Sequence, residues 1–247
     1  LGYRGRCMLA VLAQMASASL LTLHVKAGPD GRAVGDCPFA HALRIALEHK
    51  ELEYRLAPHA PHEKPEWLVA DYGGAMPCLQ DGEAVVTESS TIMDHLEERY
   101  PSPSLSPAGL DAAEAVRSPV FGSFARYCKN VDEAADAELK KALLLSLCNL
   151  DAHLQQHAAP FAAGATLSRC DCFLLPALYH IKVAGAAFKQ FEIPEQFTAL
   201  TAYVDKMFES DLLYRTAPPP PMVRWGWASA RGDTHAADEA IAELNGA

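Results

Sequence analysis

The sequence predicts two structural units, an α/β unit followed by an all-helical unit. Short apolar segments alternate with helical segments up to Pro101, and a stretch rich in proline and serine follows at 102–110. Beyond that stretch, apolar residues recur with the helical period. The chain has 247 residues, 50% of them hydrophobic, which is enough for two small cores. We therefore predict domains at 19–101 and 111–247, joined by a linker at 102–110.

The residues before the first strand differ in composition from the rest. Residues 1–29 contain no Asp or Glu, and 7–23 are rich in Ala, Leu and Ser. A remnant of a transit peptide has this composition. The alternative is a natural start at Met15, which the closeness of the first strand to Met15 favours. We predict that 1–18 lie outside both domains. The expected location is the cytoplasm, or a plastid if 1–14 are a transit-peptide remnant.

The first unit alternates strands and helices in a recognisable order. Apolar and β-prone residues predict four strands, at 20–26, 53–56, 75–79 and 84–87. Asp81-Gly82 between the last two is a strong hairpin signal. Helical patterns end near Lys50, cover 64–70 and begin again at Glu88. The order βαβ-α-ββα is that of a thioredoxin-like domain.

The second unit is predicted to be helical throughout. Apolar periodicity favours helices at about 112–129, 136–157, 171–186 and 195–209. Ser168 and Asp171 have the spacing of a capping box at a helix start. The prolines at 218–221 are expected to end the last of these helices. Trp225 and Trp227 suggest that the tail packs back on the body, with at best a short amphipathic helix at 234–245.

The charge and hydropathy of the chain exclude two classes of protein. The chain carries 21 Lys and Arg against 31 Asp and Glu, a formal net charge of −10, without a dense basic cluster. Such a chain lacks the electrostatic footprint for nucleic-acid phosphates. Apolar runs stay short of the roughly 20 residues that a membrane span needs. We expect no nucleic-acid partner and no stable membrane insertion.

The seven cysteines are too scattered for a disulfide scaffold, and they include no CxxC pair. We therefore expect a reducing compartment, with most cysteines as small buried residues, among them Cys170 and Cys172. His49, His153 and His157 are expected at the surface. Because no His/Cys cluster has ligand spacing, we expect no metal site.

Cys37 differs from the other cysteines because Pro38 follows it where a helix begins. Proline suits the first helical position, so Cys37 falls at the N-cap, near free backbone N–H groups and the positive end of the helix dipole. Such a position stabilises a thiolate and can lower a cysteine pKa from about 8.5 to roughly 3.5–7.5. The alternative is one more buried thiol. We predict that Cys37 is a nucleophile.

Ala40 indicates how an oxidised Cys37 is reduced again. It stands where a second cysteine would complete a CxxC motif. An external thiol must therefore attack the oxidised sulfur of Cys37. This points to glutathione as a co-substrate, with no tightly bound cofactor.

Several segments carry a family resemblance over about 20–228. They are Gly35-Asp36-Cys37-Pro38-Phe39, 63–67, 75–79, 86–89, 96–101, 160–164, 178–184 and 226–228. Together they resemble the dehydroascorbate reductases, the Cys-type branch of the glutathione transferases in plants and algae. The Cys-Pro-Phe-Ala motif is also similar to the omega and lambda transferases, and the Tyr179-His180 motif to the chloride intracellular channel family. Ala40 stands where dehydroascorbate reductases usually have Ser.

The resemblance implies the glutathione transferase fold and a set of site residues. Met76 would pair its backbone with glutathione beside a cis Pro77, and Ser89 and Glu88 would bind the γ-glutamyl carboxylate and amino group. Lys64 would bind the glycyl carboxylate. His180 and Trp227 would border the glutathione site, and Lys26 and Asp36 would bind dehydroascorbate or ascorbate.

Most of these residues also have a structural alternative. Pro77 can be a trans edge-strand proline, and Ser89 a helix cap. Lys64 can be solvated, and His180 and Trp227 can be packing residues. Asp36 can simply form a turn before the helix. Lys26 ends the first strand, where a cation would lower the pKa of the thiol, whereas the charge of Asp36 would raise it.

The resemblance implies a monomeric enzyme that reduces dehydroascorbate to ascorbate with two glutathiones. Cys37 would become a sulfenic acid or its equivalent, then a mixed disulfide with one glutathione, and a second glutathione would release it. The alternatives are an omega- or lambda-like thioltransferase of broad substrate range and a channel-like protein of the chloride intracellular channel type.

Overall fold

The computed structural model describes residues 20–246, and the predicted leader with Met15 and Cys7 lies outside this range. The N-terminal domain contains a mixed sheet in the order β2-β1-β3-β4. β1 pairs in parallel with β2 and antiparallel with β3, which pairs antiparallel with β4. The strands are β1 Leu21–Lys26, β2 Tyr54–His59, β3 Cys78–Asp81 and β4 Ala84–Thr87. The helices are α1 Pro38–His49, α2 Glu66–Tyr72 and α3 Ser89–Arg99. The predicted thioredoxin-like order is confirmed.

The central strand β1 is buried on both faces, as a strand between two layers of helices must be. Leu23 and Val25 join the core formed with α1 and α3. On the other face, His24 packs edge-to-face with Trp67 in α2. Its Nε2 donates a hydrogen bond to Gln80 Oε1 at 2.7 Å, and its Nδ1 shares a hydrogen bond with His59 Nε2 at 2.8 Å. These contacts on both faces fix the position of β1 and of its last residue, Lys26, at the carboxyl end of the strand.

The C-terminal domain is a helical bundle. Its helices are α4 Leu110–Lys129, α5 Glu133–His157, α6 Arg169–His180, α7 Ala186–Lys189, α8 Thr198–Phe208, α9 Asp211–Thr216, α10 Pro220–Arg231 and α11 Thr234–Gly246, and a π-helical turn, Ile181–Gly185, joins α6 to α7. Helix α6 packs against α1 of the first domain. The predicted capping box is confirmed, because Ser168 accepts from the Asp171 N–H and Asp171 accepts from the Ser168 N–H.

The chain beyond 209 differs from the prediction. Two further helices, α9 and α10, follow, and Pro218 and Pro219 lie between them. Pro220 and Pro221 occupy the first turn of α10, where a missing N–H breaks no helical hydrogen bond. The tail does pack back on the body, with Trp227 only 5% exposed. The helix at its end, α11, has 13 residues and packs along α10.

His153 is the other correction. It is buried rather than at the surface, and its Nε2 lies 2.8 Å from the carbonyl oxygen of Ala162. That carbonyl belongs to the loop after α5, so a tertiary hydrogen bond compensates the buried imidazole. The expectation for Cys170 and Cys172 is confirmed, since both are fully buried.

Candidate functional site

Cys37 lies at the N-cap of α1, as predicted, with extended backbone angles and Pro38 as the first helical residue. The loop after β1 positions it. Gly35 donates its N–H to the Lys26 carbonyl oxygen at 2.8 Å, and a Cβ on Gly35 would come within 2.8 Å of that same oxygen. Glycine therefore lets the loop return tightly to the end of β1. This return brings Cys37 next to Lys26.

The pKa of the Cys37 thiol reflects four opposing influences. Burial is the largest and raises it, the N–H groups of Ala40 and Phe39 lower it, the Asp36 charge raises it and the Lys26 charge lowers it. The predicted effect of the helix N terminus is therefore present, but burial outweighs it, and the expected lowering of the pKa is not met. Burial has this effect although the residue as a whole is partly exposed.

Asp36 and Lys26 form an ion pair directly beside the thiol. Lys26 Nζ donates to Asp36 Oδ1 at 2.7 Å, and the two side chains are 41% and 12% exposed. Lys26 thus compensates the carboxylate charge that would otherwise oppose a thiolate. Lys26 Nζ also lies 4.9 Å from the centre of the Trp225 ring.

His180 and Trp227, which the resemblance placed at the border of the glutathione site, meet in the interior against Asp36. The Trp227 indole donates its N–H to His180 Nδ1 at 2.9 Å. Because Nδ1 accepts this bond, a neutral His180 carries its proton on Nε2, which has no hydrogen-bond partner within residues 20–246. Burial lowers the pKa of His180 to about 4, and the nearby Asp36 carboxylate and backbone raise it. The imidazole is therefore neutral at pH 7.

Gly226 explains how helix α10 approaches Asp36 so closely. A Cβ on Gly226 would lie 1.7 Å from Asp36 Oδ2. Consecutive residues of α10 thus meet three different groups: Trp225 the Lys26 ammonium, Gly226 the Asp36 carboxylate and Trp227 the His180 ring. Sequence reasoning missed the roles of Trp225 and Gly226. Residues 226–228 are one of the segments that carry the family resemblance. No local pattern in the sequence shows, however, that Gly226 leaves room for Asp36.

The predicted cis proline is present, since the Met76–Pro77 peptide bond is cis. Pro77 is buried directly before β3, and Met76 is half-buried. The antiparallel pairing of β3 with β1 joins Cys78 to His24, so Pro77 continues this register toward the end of β1. The turn that Met76 and Pro77 form therefore lies at the same sheet edge as Lys26.

Glu88 and Ser89 lie at the start of α3. Glu88 has a φ of 67° and a ψ of 121°, a strained conformation for a residue with a side chain. Ser89 is the first residue of the helix rather than its cap, so the helix-cap alternative does not apply. The free N–H groups at the start of this 11-residue helix therefore open beside the hydroxyl of Ser89.

The Lys64 ammonium is hydrogen-bonded within its own segment of the chain. Its Nζ donates to the carbonyl oxygen of Gly74 at 2.7 Å, across the ends of α2. A glycyl carboxylate would have to replace or share this contact.

The predicted site residues, together with Trp225 and Gly226, fall into two groups. The Asp36 side comprises Lys26, Asp36, His180, Trp225, Gly226 and Trp227, which are linked by direct contacts. The cis-proline side comprises Lys64, Met76, Pro77, Glu88 and Ser89, all within a short stretch of the first domain. A cavity of about 490 Å³ adjoins the Asp36 side and is lined by Lys26, Trp225, the loop 27–32 and the segment 60–63.

Comparison with known proteins gives a consistent result. The family models for the glutathione S-transferase N-terminal and C-terminal domains match 33–104 and 111–211. The chain is 34% identical over 197 residues to glutathione S-transferase DHAR2 of Arabidopsis thaliana, covering 79% of this chain and 91% of the relative. A crystal structure of Chlamydomonas reinhardtii dehydroascorbate reductase superposes with a TM-score of 0.76 at 32% identity, covering 87% of this chain and all of that one.

Rice relatives carry two different locations in their names. The probable glutathione S-transferase DHAR1, cytosolic, of Oryza sativa subsp. japonica is 34% identical over 79% of this chain and 90% of its own. The probable DHAR2, chloroplastic, of the same plant is 32% identical over 88% of this chain and 79% of its own.

A more distant neighbour shares the fold alone. The chloride intracellular channel homologue EXC-4 of C. elegans superposes with a TM-score of 0.70 at 21% identity, over 91% of this chain and 88% of that one. In the part of the chain that the structure describes, no helix is both long enough and apolar enough to cross a membrane.

Proposed function

The chain belongs to the dehydroascorbate reductases of the glutathione S-transferase family, and we propose that it reduces dehydroascorbate to ascorbate with glutathione as the electron donor. The observation that carries this proposal is the Lys26–Asp36 ion pair beside Cys37. A carboxylate next to a nucleophilic thiol is unfavourable for the thiolate, so its presence, balanced by a lysine, favours a role in binding a substrate rich in hydroxyl and carbonyl oxygens.

In the proposed cycle, Cys37 supplies the two electrons. Dehydroascorbate takes up these electrons with two protons and leaves as ascorbate, while an oxygen atom from water ends on the sulfur as a sulfenic acid. One glutathione thiol then displaces water and forms the S–S bond of a mixed disulfide with Cys37. A second glutathione attacks that bond, and glutathione disulfide leaves as Cys37 regains its thiol.

Lys26 and Asp36 would serve the oxidised substrate. As electrons enter its adjacent carbonyl groups, negative charge develops on their oxygens, and a positioned ammonium stabilises that charge. The Asp36 carboxylate accepts hydrogen bonds from the hydroxyl groups and keeps the ammonium close. His180, neutral and buried, and Trp227 would hold Asp36 in place from the second domain.

The cis-proline side would bind glutathione. The Met76 backbone would pair with the cysteinyl part in the manner of an added strand. Ser89 and the first N–H groups of α3 would bind the γ-glutamyl carboxylate, with Glu88 on the amino group and Lys64 on the glycyl carboxylate. We propose that the protein works as a monomer in the reducing environment of the cytosol or of a plastid.

A comparison of substrates tests this function. The purified protein is assayed for ascorbate formation with glutathione and dehydroascorbate, and separately for reduction of a small mixed disulfide of glutathione. We expect a larger kcat/KM for dehydroascorbate. A rate with dehydroascorbate no higher than the uncatalysed one, together with rapid disulfide reduction, would instead identify a thioltransferase of the omega or lambda kind.

A further inference from the structure

Trp225 contacts the site but has no role in the proposed cycle. It is partly exposed on α10, one residue before the glycine that admits Asp36. Its ring faces the Lys26 ammonium at 4.9 Å. Sequence reasoning assigned it only to the packing of the tail.

The Lys26 ammonium is held from two directions. It donates to Asp36 Oδ1 at 2.7 Å on one side and lies over the Trp225 ring on the other. The face of an indole ring attracts a cation through the quadrupole of its π electrons. The side chain of Lys26 nevertheless stays 41% exposed.

Lys26 borders a cavity large enough for a small molecule. Lys26 and Trp225 both line the cavity of about 490 Å³, whose other walls are the loop 27–32 and the segment 60–63. An ammonium that is fixed at the wall of a cavity presents its donors in one direction. Without the ring, the flexible four-carbon stem of lysine would distribute the charge over several rotamers.

We propose that Trp225 is a positioning residue for the oxidised substrate. By holding the Lys26 ammonium between its ring and Asp36, it fixes one cationic donor at the cavity wall. This arrangement favours acceptors with adjacent carbonyl or enolate oxygens over disulfides, whose reacting sulfur atoms gain little from a cationic hydrogen-bond donor. The proposal rests on the proposed function, because that function supplies an acceptor of this class.

Three variants test the proposal through a ratio of activities. The measured quantity is kcat/KM for dehydroascorbate divided by kcat/KM for the mixed disulfide of glutathione and cysteamine. In Trp225→Leu, which keeps apolar bulk without a π face, we expect this ratio to fall about three- to ten-fold. In Trp225→Phe, which keeps a weaker π face, the fall is smaller. Tyr214→Leu is the control, since Tyr214 is 88% exposed on α9, and its ratio stays unchanged.

A second background shows whether Trp225 acts through Lys26. The double variant Lys26→Met/Trp225→Leu should have the same activity ratio as Lys26→Met alone, because no ammonium remains to be positioned. An equal loss on both substrates, or the same fall of the ratio in both backgrounds, would assign Trp225 a packing role and overturn the proposal.

The activity of the unaltered protein distinguishes a failure of the proposed function from a failure of the proposed role of Trp225. If that protein does not reduce dehydroascorbate, both the proposed function and the role of Trp225 are overturned. If it does and Trp225→Leu keeps the wild-type ratio, only the role of Trp225 is overturned.

Discussion

The two sides of Cys37 are built in different ways. The cis-proline side comes from one stretch of one domain, with Glu88 exposed and Ser89 and Lys64 partly exposed. The Asp36 side joins β1 and the following loop to α6 and α10 of the other domain, and Asp36, His180 and Trp227 are buried in it. One side is a local surface that a peptide can pair with, whereas the other depends on the docking of two domains.

This difference predicts how perturbations divide between the two substrates. Substitutions on the cis-proline side should change the binding of glutathione and leave the reaction with dehydroascorbate unchanged. Substitutions on the Asp36 side should change the reaction with dehydroascorbate and the contact between the two domains. In the proposed cycle, Cys37 reacts with both substrates.

Cys37→Ser gives the largest expected effect. Both dehydroascorbate reduction and transfer from mixed disulfides should fall to the background rate, because a hydroxyl does not form the required S–S bond. The thermal midpoint should stay within a few degrees of the unaltered protein, since the residue is a partly exposed cap. Steady-state assays with both substrates and a melting curve provide the measurement. Retention of most activity with either substrate would contradict the assignment of one shared thiol.

Asp36→Asn tests the Asp36 side. The change removes the carboxylate that raises the pKa of Cys37, so iodoacetamide should alkylate Cys37 at lower pH. If Asp36 binds the substrate, kcat/KM for dehydroascorbate should nevertheless fall by roughly ten- to a hundred-fold at every pH, because hydrogen bonds to a charged group contribute about 1.5–3 kcal/mol.

The mixed disulfide is the matched control for Asp36→Asn. Loss confined to dehydroascorbate supports substrate binding by Asp36. Equal loss on both substrates would point to a structural role in the turn before α1, and no loss on either would remove Asp36 from the site.

Ser89→Ala tests the cis-proline side. We expect the KM for glutathione to rise about ten-fold with a smaller change in kcat, because a ground-state hydrogen bond to a carboxylate is lost. The KM for dehydroascorbate should stay the same. Ser90→Ala is the matched control, since the neighbouring Ser90 is exposed on the same turn of α3. Equal rises in Ser89→Ala and Ser90→Ala would contradict a specific contact.

Acid should destabilise the fold through two buried histidines, His180 on the Asp36 side and His41 in α1. Burial holds the pKa of His180 near 4 and that of His41 well below the usual 6.5, so both are neutral when folded. Below pH 6.5 the unfolded chain binds protons that the folded protein excludes, and the free energy of unfolding therefore falls with pH. With a folded pKa of about 4, His180 accounts for a loss of about 2 kcal/mol between pH 7.5 and 5, and His41 adds a loss in the same direction.

The variant His41→Gln makes this acid effect measurable. His41 lies 3.1 Å from the Thr216 hydroxyl, and glutamine can keep that contact. Urea unfolding at pH 7.5 and pH 5 should show a smaller loss of unfolding free energy in His41→Gln than in the unaltered protein. His62→Gln is the control, because His62 is exposed and should leave the pH dependence as it was. An identical pH dependence in all three proteins would show that buried histidines do not govern it.

The parts that sequence predicted correctly depend on neighbouring residues. The N-cap position of Cys37 follows from Pro38, and the capping box of α6 from Ser168 and Asp171. The order of strands and helices follows from the period of apolar residues. The predicted cis-proline site also lies within about 25 residues of chain, so motifs could describe it.

The missed parts depend on residues far apart in the chain. The direction of the Cys37 pKa is set by burial, which no local pattern gives. Trp225 and Gly226 act on residues 26 and 36, nearly 200 positions away, and the burial of His153 depends on the carbonyl of Ala162. The prolines at 218–221 suggested an end of helix, but proline is equally suited to a helix start.

The close approach of Gly226 to Asp36 has a consequence for how such a protein can evolve. Because the Asp36 carboxylate occupies the space that any larger residue at 226 would need, the two positions are not free to change one at a time. A bulkier residue at 226 is tolerated only in a lineage that first shortens the residue at 36. In an alignment of descendants, positions 36 and 226 should therefore vary as a pair. A larger residue should replace Gly226 only in lineages that have lost the Asp36 carboxylate.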